Sequence, residues 1–470
     1  IAAAGSWLVR TIAFAMLSDA TPGHYGGFRI GLSLPIPVVQ VAPHWYAILT
    51  LWCVFALIGW CGWRAVHALD RAGGGLWAVY AGYAAVALVL TLFAVTLSID
   101  GYFYTVFARL FGVYGIDPYA LVSPVRVSDP VLLQDFSLLN NPPFPDPYGP
   151  GFTLLAGLVG WLESGANLWT QLWSWRAIAV GACLLTVAAL ARITKGTTGK
   201  ERVRRVAVFA FHPLTLYESG VGGHNDFLMI AAAAWSYAVV DELPLIAGLL
   251  LGTAIAIKYF AAVLLPFVVL RAARKSLVAA ALIVVLAAFV PLLCFHPFAF
   301  GTTGQVTLVK VGSSLSMSLN WLLALPLFAL NASDGVVRAV QFAIVATFAL
   351  VTIVAAARYA RTLKSAEVFR SIAALLWSLP AMHPWYAMWL VPAAAARSRW
   401  STYAWWFGAF ALLVYAHEAV LPTPLNHAIF IVITFVLLLV PIVLMRGARR
   451  GVADSTSESH LLHGEEGTRA

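Results

Sequence analysis

The sequence predicts an all-α, polytopic membrane protein, and three observations predict it. Of its 470 residues, 61% are hydrophobic and only 10% charged, with a mean hydropathy of +0.85. A soluble domain carries roughly 45–50% apolar and about 25% charged residues. Apolar stretches of roughly 17–22 residues recur, each long enough to cross a hydrocarbon core of about 30 Å as a helix. The basic residues gather in short loops between those stretches. The strict alternation over roughly ten residues that marks membrane β-barrel strands is absent.

Taken in order, the chain opens at Ile1 rather than Met, so its natural start is expected upstream. Residues 1–75 form an N-terminal membrane segment: the rest of a span at Ile1–Leu17, a Gly- and Pro-rich loop at Thr21–Pro43, and a span at Tyr46–Ala65. Leu76–Leu97 crosses back and delivers Asp100 to the opposite side. The polar interruption Ser98–Pro150 opens there, within an outer loop 98–172 in which Gly151–Leu162 is expected to lie along the surface as an interfacial helix. Trp173–Ile193 returns inward. Further spans are expected at Val206–Tyr217, Phe227–Val240, Leu243–Ile257, Tyr259–Leu270, Leu277–Phe295, Val336–Ala357, Val368–Leu379, Tyr386–Ala396, Thr402–Tyr415 and Ala428–Leu444. Leu315–Leu330 stays outside. The total is roughly thirteen crossings. Residues 76–400 form the working module, 401–450 the last helices, and 451–470 a polar, disordered cytoplasmic tail.

Orientation follows from Lys and Arg near span ends. Arg64 and Arg71, Arg192 to Arg205, Arg271 to Lys275, Arg358 to Arg370, Arg397 and Arg399, and Arg446 to Arg450 mark the cytoplasmic side. The Asp100 loop, His224-Asn225-Asp226, His296 to Asp334, His383 to Tyr386 and His417 to His427 then face outward, as expected of a multi-pass protein of the plasma (inner) membrane. Topology also accounts for the net charge of +9, so nucleic acid is not an expected partner. Cys53, Cys61, Cys183 and Cys294 lie in or beside apolar stretches without a CxxC, which suggests neither zinc nor a disulfide framework. No P-loop is present, which argues against an ATP-driven pump.

Ionisable residues at membrane depth are costly and point to function. At the outer ends of spans these are Asp100, Glu218, His224, Asp226 and Lys258. Asp100 fits a general base, because an attacking hydroxyl must lose its proton; the same residue could cap a helix starting near Tyr102. His224 and Asp226 could orient a substrate, bind a sugar hydroxyl or hold a metal, and Asp226 could merely cap the next helix. Lys258 has no acid near it in sequence and calls for an anion, such as a phosphate at the membrane surface. Arg109 and Lys310 are further outer cations, the latter reading as interface snorkelling. Trp377, Trp385, Tyr386 and Trp389 gather around Pro384, as interface aromatics do.

Asp100 just after an early span, followed by Tyr102-Phe103-Tyr104, Ala108-Arg109 and Gly115-Ile116-Asp117-Pro118-Tyr119, resembles the first outer loop of polyprenyl-phosphate-sugar-dependent glycosyltransferases of the GT-C superfamily. Pro147-Tyr148-Gly149-Pro150 resembles the second half of that loop. His212-Pro213 leading to Glu218, then Gly222-Gly223-His224-Asn225-Asp226, is similar to bacterial α-mannosyltransferases that build lipomannan and mannan. Gly252 to Lys258 with Leu265-Pro266, and Pro384-Trp385-Tyr386, fit as well. The resemblance covers about residues 76–400. It implies a GT-C fold, a lipid-linked donor such as polyprenyl-phosphate mannose, and Asp100 as the base. Such enzymes often carry paired acids here, whereas Asp100 is followed by Gly101, so no required metal and no cofactor are expected.

The expected activity is therefore an inverting transfer of a sugar from polyprenyl phosphate to a lipid- or glycan-linked hydroxyl at the outer face. Asp100 is the catalytic residue. Tyr102, Tyr104, Arg109, Tyr148, Glu218, His224, Asn225, Asp226, Lys258, Tyr259, His383, Trp385 and Tyr386 are the substrate-binding candidates, with Lys258 and Arg109 on the leaving phosphate. The alternative is a secondary transporter or lipid flippase. No second copy of the Asp100 or His-Asn-Asp segments is present to suggest the inverted repeats common in transporters.

Overall fold

The computed structural model describes residues 28–30, 39–41, 45–92, 98, 100–120, 128–139, 145–298, 333–379, 383–396, 405, 408 and 411. Lys310, Asn140 to Pro143, the Leu315–Leu330 segment, the span expected at Ala428–Leu444 and the tail lie outside the described residues, as does most of Thr402–Tyr415. The architecture is helical apart from one small hairpin, β1 (Phe28–Ile30) antiparallel to β2 (Val39–Val41), with Arg29 opposite Gln40. The hairpin sits in the segment read from sequence as a plain loop.

The helices are α1 (Trp45–Ala72), α2 (Leu76–Leu92), α3 (Asp100–Gly112), α4 (Pro130–Leu139), α5 (Pro150–Leu162), α6 (Leu168–Ile193), α7 (Gly199–Ala210), α8 (Pro213–Tyr217), α9 (Asp226–Val239), α10 (Pro244–Ile257), α11 (Leu265–Ala273), α12 (Leu277–Phe295), α13 (Asp334–Thr362), α14 (Ser365–Ser378) and α15 (Leu390–Ala395). Among the described residues, four helical stretches are long and apolar enough to cross a membrane: Trp52–Ala72, Leu168–Ile193, Leu277–Phe295 and Gly335–Thr362. Five more apolar helices have 10–17 residues. These are shorter than the roughly 20 residues of a full crossing.

Small residues set the close helix contacts. In α10, Gly248 and Gly252 are four apart on one face. A Cβ at Gly252 would stand 2.7 Å from the Leu286 carbonyl oxygen, so α12 packs directly on the α10 backbone. Such small-xxx-small pairing lets membrane helices approach where lipid gives them no hydrophobic drive. α9 lies between α6 and α10.

The polar interruption after α2 is itself largely helical. Tyr102, Phe103, Val106, Phe107 and Leu110 recur at helical spacing and pack on Leu132, Leu168 and Leu172. Tyr104 and Ala108, one turn apart, face the main core instead. α3 is thus buried on both sides, which fixes its first residue, Asp100, in place.

Candidate active site

Three segments meet around Asp100. Ser98 Oγ accepts the Asp100 backbone N–H at 3.1 Å, so Ser98 caps α3 and the Asp100 carboxylate is left for other work. Its Oδ2 lies 3.3 Å from His224 Nδ1. The other imidazole nitrogen, Nε2, is 3.0 Å from Glu218 Oε2. Both are ion-pair contacts rather than aligned hydrogen bonds. Burial works against the charged forms, but His224, followed by Lys258 and His383, outweighs it and holds the Asp100 carboxyl below its ordinary range. Burial likewise disfavours imidazolium, yet Glu218 and Asp100 together push His224 above the ordinary imidazole value.

The turn that presents His224 is specified by sequence. His212 Nδ1 accepts the Leu214 N–H and caps α8, with Pro213 at its first position. A π-turn follows over Glu218–Gly222, braced by Tyr83 Oη donating to Ser219 Oγ at 2.8 Å. Gly223 then takes the left-handed conformation, φ 65°. At Gly222 a Cβ would come within 2.5 Å of Glu218 Oε2 and 2.6 Å of His224 Cδ2. The glycine pair is what lets Glu218 and His224 face each other across their own turn. Gly223→Ala should cost about 1–2 kcal/mol from the left-handed backbone alone. Its new Cβ would also crowd the Arg176 backbone nitrogen at 3.2 Å. Thermal unfolding of the detergent-solubilised protein should register the loss; an unchanged midpoint would show that the turn tolerates a side chain.

Asp226 opens α9. Its Oδ2 lies 2.6 Å from Lys258 Nζ, and its Oδ1 accepts the Trp389 indole N–H at 2.7 Å. Asn225, not Asp226, occupies the helix cap position. Lys258 stands at a break, extended at φ −146°, between α10 and the 3₁₀ turn Tyr259–Leu264. The break turns its ammonium inward, over the rings of Tyr386 (5.1 Å), Tyr148 (5.6 Å) and Trp389 (5.9 Å). Tyr386 and Trp389 share a face because Pro384–Trp389 is a 3₁₀ helix, in which residues three apart eclipse. Their rings stack at 4.6 Å. Trp385 is stacked between His383 (4.4 Å) and His224 (4.7 Å), which ties this segment to the Asp100 cluster. Tyr104 Oη accepts the Asn225 backbone N–H at 3.2 Å, and the Tyr104 ring meets Tyr148 edge-on. Tyr148 is set by an Asp146 turn, in which the Asp146 carboxylate accepts from the Tyr148 N–H and Thr153 Oγ1. Gly149 N–H donates to the Ile257 carbonyl, docking that turn beside Lys258.

Ten of the sequence candidates therefore meet in one cluster: Asp100, Tyr104, Tyr148, Glu218, His224, Asp226, Lys258, His383, Trp385 and Tyr386. Asn225 joins through its backbone. Three stand elsewhere. Arg109 is nine residues beyond Asp100 on the same helix, about 13 Å along its axis. Its guanidinium is bound to Asp129 at 2.7 Å and to the Ser164 carbonyl at 3.2 Å. Arg109 is thus a structural tie of the outer helices, and its expected place on the leaving phosphate is withdrawn. Tyr102 packs on the opposite face of α3 with the α4 and α6 contacts. Tyr259 stacks on Phe295 of α12. Lys258, which has no acid near it in sequence, finds its anionic partner in Asp226. Trp389, grouped by sequence only with interface aromatics, holds Asp226 directly. Its spacing of three from Tyr386 was the available signal.

Trp389 and Phe260 also line an apolar cavity of about 290 Å³, whose wall includes Met229, Ala233, Leu264, Ala393 and Arg271. Arg271 is paired there with Asp241. Among the described residues, no three His, Cys, Asp or Glu side chains are grouped to hold a metal.

A family model described as alpha-(1->6)-mannopyranosyltransferase, N-terminal domain, matches residues 15–274, more than half of the chain. The chain belongs to this family. It is accordingly a glycosyltransferase, and the transporter alternative falls away. The match takes in Asp100, Glu218, His224, Asp226 and Lys258, and ends before His383–Trp389. No curated protein and no solved structure matches the chain.

Proposed function

We propose that this mannosyltransferase-family enzyme moves a sugar, most simply mannose, from polyprenyl phosphate to the hydroxyl of a lipid- or glycan-linked acceptor, with inversion, at the outer face of the plasma membrane. The observation that carries this reading is the contrast within the cluster. Glu218 and Asp226 side chains are fully buried, whereas Asp100 keeps 15% of its side chain open. Of these three carboxylates, Asp100 is the one a hydroxyl can reach.

The acceptor oxygen attacks the anomeric carbon and its proton passes to Asp100. The bond from that carbon to the phosphate oxygen breaks, and its electron pair leaves with polyprenyl phosphate. A carboxylate held below its ordinary range is a weak base, but it is always ionised at neutral pH. The hydroxyl becomes acidic as its oxygen bonds to carbon, so a weak base suffices late in the step. Lys258 faces the developing phosphate charge from its aromatic box, where an oriented cation in a dry site is most effective. Asp226, itself held by the Trp389 indole N–H, fixes that ammonium. The cavity shares the Trp389 side chain with the Lys258 box and would offer the isoprenoid chain an apolar seat beside the phosphate position.

The test is incubation of membranes carrying the protein with radiolabelled polyprenyl-phosphate mannose, with and without a chelator, following label into lipid or glycan acceptors. Transfer with inverted configuration is expected in both arms. Transfer from a nucleotide sugar instead, or only with added metal, would overturn the donor or the metal-free chemistry. Within the same assay, Ala233→Phe should raise the donor KM on the order of tenfold, about 1.4 kcal/mol, for a long isoprenoid and leave a short-chain donor unaffected. Equal effects on both would remove the chain from this cavity.

A further inference from the structure

We infer that Glu218 is a positioning residue of the transfer reaction: through His224 it keeps a fixed cation against Asp100, and so sets the pH range over which Asp100 can act as a base. The inference rests on the reading of Asp100 as base given above. Glu218 itself touches no acceptor, because its side chain is fully buried beneath His224.

The geometry supplies the argument. One imidazole is held between two carboxylates, 3.3 Å from Asp100 and 3.0 Å from Glu218. A buried imidazole would ordinarily shed its proton, since burial disfavours the charged form. Here two anions compensate, and the Gly222–Gly223 turn leaves no side chain to come between Glu218 and the ring. Trp385 stacks on the ring face and blocks its rotation. The charged and titratable groups around the trio are Lys258, His383 and the phenols of Tyr104, Tyr148 and Tyr386 on the Asp100 side, and Asp226 on the Glu218 side. His383 is held down to about 4 by burial, aided by Lys258 and His224. It is therefore neutral near pH 7 and cannot substitute for His224 as the cation. Two carboxylates pushed apart by their surroundings divide the labour: one stays a partly open base, the other a buried counter-ion.

The sign of the pH effect follows. In the parent, Asp100 is depressed, so activity should persist down to acid pH and fade only as pH drops through that lowered value. Glu218→Gln removes one anion, His224 loses its proton more readily, and Asp100 loses its nearest cation. The Asp100 value must then rise, and the acid limb of kcat/KM should move upward by at least about one pH unit, the size expected for removing one close charge. Glu218→Asp should leave the limb near its parent position. The profile should be measured between about pH 2.5 and 8, so that it spans values on both sides of the ordinary carboxylate range, on membranes with equal protein content, together with donor KM. A Glu218→Gln enzyme that is slower but has an unmoved acid limb would make Glu218 a packing residue and overturn the inference. If Glu218→Gln cannot be recovered in membranes, Glu218→Asp decides through His224→Gln. That variant removes the same cation, so its limb should rise while that of Glu218→Asp does not, and matching limbs in the two would overturn the inference. An Asp100→Asn enzyme of normal activity would instead overturn the base assignment, independently of any Glu218 result.

Discussion

Asp100→Asn should be a folded, membrane-inserted protein that binds donor and turns over about 10² to 10⁴ times more slowly than the parent. Folding should survive because the start of α3 does not depend on the Asp100 side chain. Ser98 supplies the cap, and the residues that hold the helix are the apolar side chains on its two faces. Losing a carboxylate at a helix N-terminus forfeits only about 0.3–1 kcal/mol of dipole interaction. Asparagine keeps the size and one acceptor for His224 but cannot take the acceptor's proton. Donor binding should persist, since the phosphate is assigned to Lys258. The measurement is turnover at saturating donor per amount of protein in the membrane. Turnover within a few-fold of the parent would end the mechanism proposed here, and neither Glu218 nor Asp226 could replace Asp100 without movement, because both are closed off from solvent.

What could be read from the sequence divides along a physical line. Helical class and membrane setting came from composition and period, which are sums over many residues. The polar residues at the ends of apolar runs marked the cluster, because burying charge in such a chain needs a reason. Distance along a helix was legible in principle: Arg109 could have been set aside by the rise from Asp100, yet its partner Asp129 is twenty residues further on and invisible to local pattern. The pairing of Lys258 with Asp226 crosses a helical hairpin, and that of Asp226 with Trp389 crosses more than a hundred residues. Such contacts depend on which helices pack together, which hydropathy does not specify. The helical character of the Ser98–Pro150 segment was masked by its turn-forming prolines and glycines, although Tyr102 to Leu110 carries a helical period. The β1–β2 hairpin is too short, at three residues a strand, to leave a periodic signal.

Lys258→Ala should lose both stability and activity, and a double replacement should separate the two. In the parent, the ammonium and the Asp226 carboxylate are buried together, 6% and 0% exposed. Removing one member of a buried pair leaves the other uncompensated and typically costs about 3–5 kcal/mol. Lys258→Ala alone is therefore ambiguous, because a poorly folded enzyme is also inactive. Asp226→Asn with Lys258→Met removes both charges and keeps similar volumes. The asparagine oxygen can still accept the Trp389 indole N–H, and methionine fills the box of Tyr148, Tyr386 and Trp389 as an apolar chain. That double variant should recover near-parent abundance and thermal stability in the membrane. It should still transfer sugar at a small fraction of the parent rate, with donor binding weakened, because no cation meets the phosphate. Lys258→Arg should fall between: the charge remains, but the planar fork does not fit a site built for a point charge. Abundance, thermal unfolding and donor KM measured side by side on the three variants decide the matter. A stable double variant with parent-like turnover would reduce the pair to a structural tie, and the leaving phosphate would then need another partner.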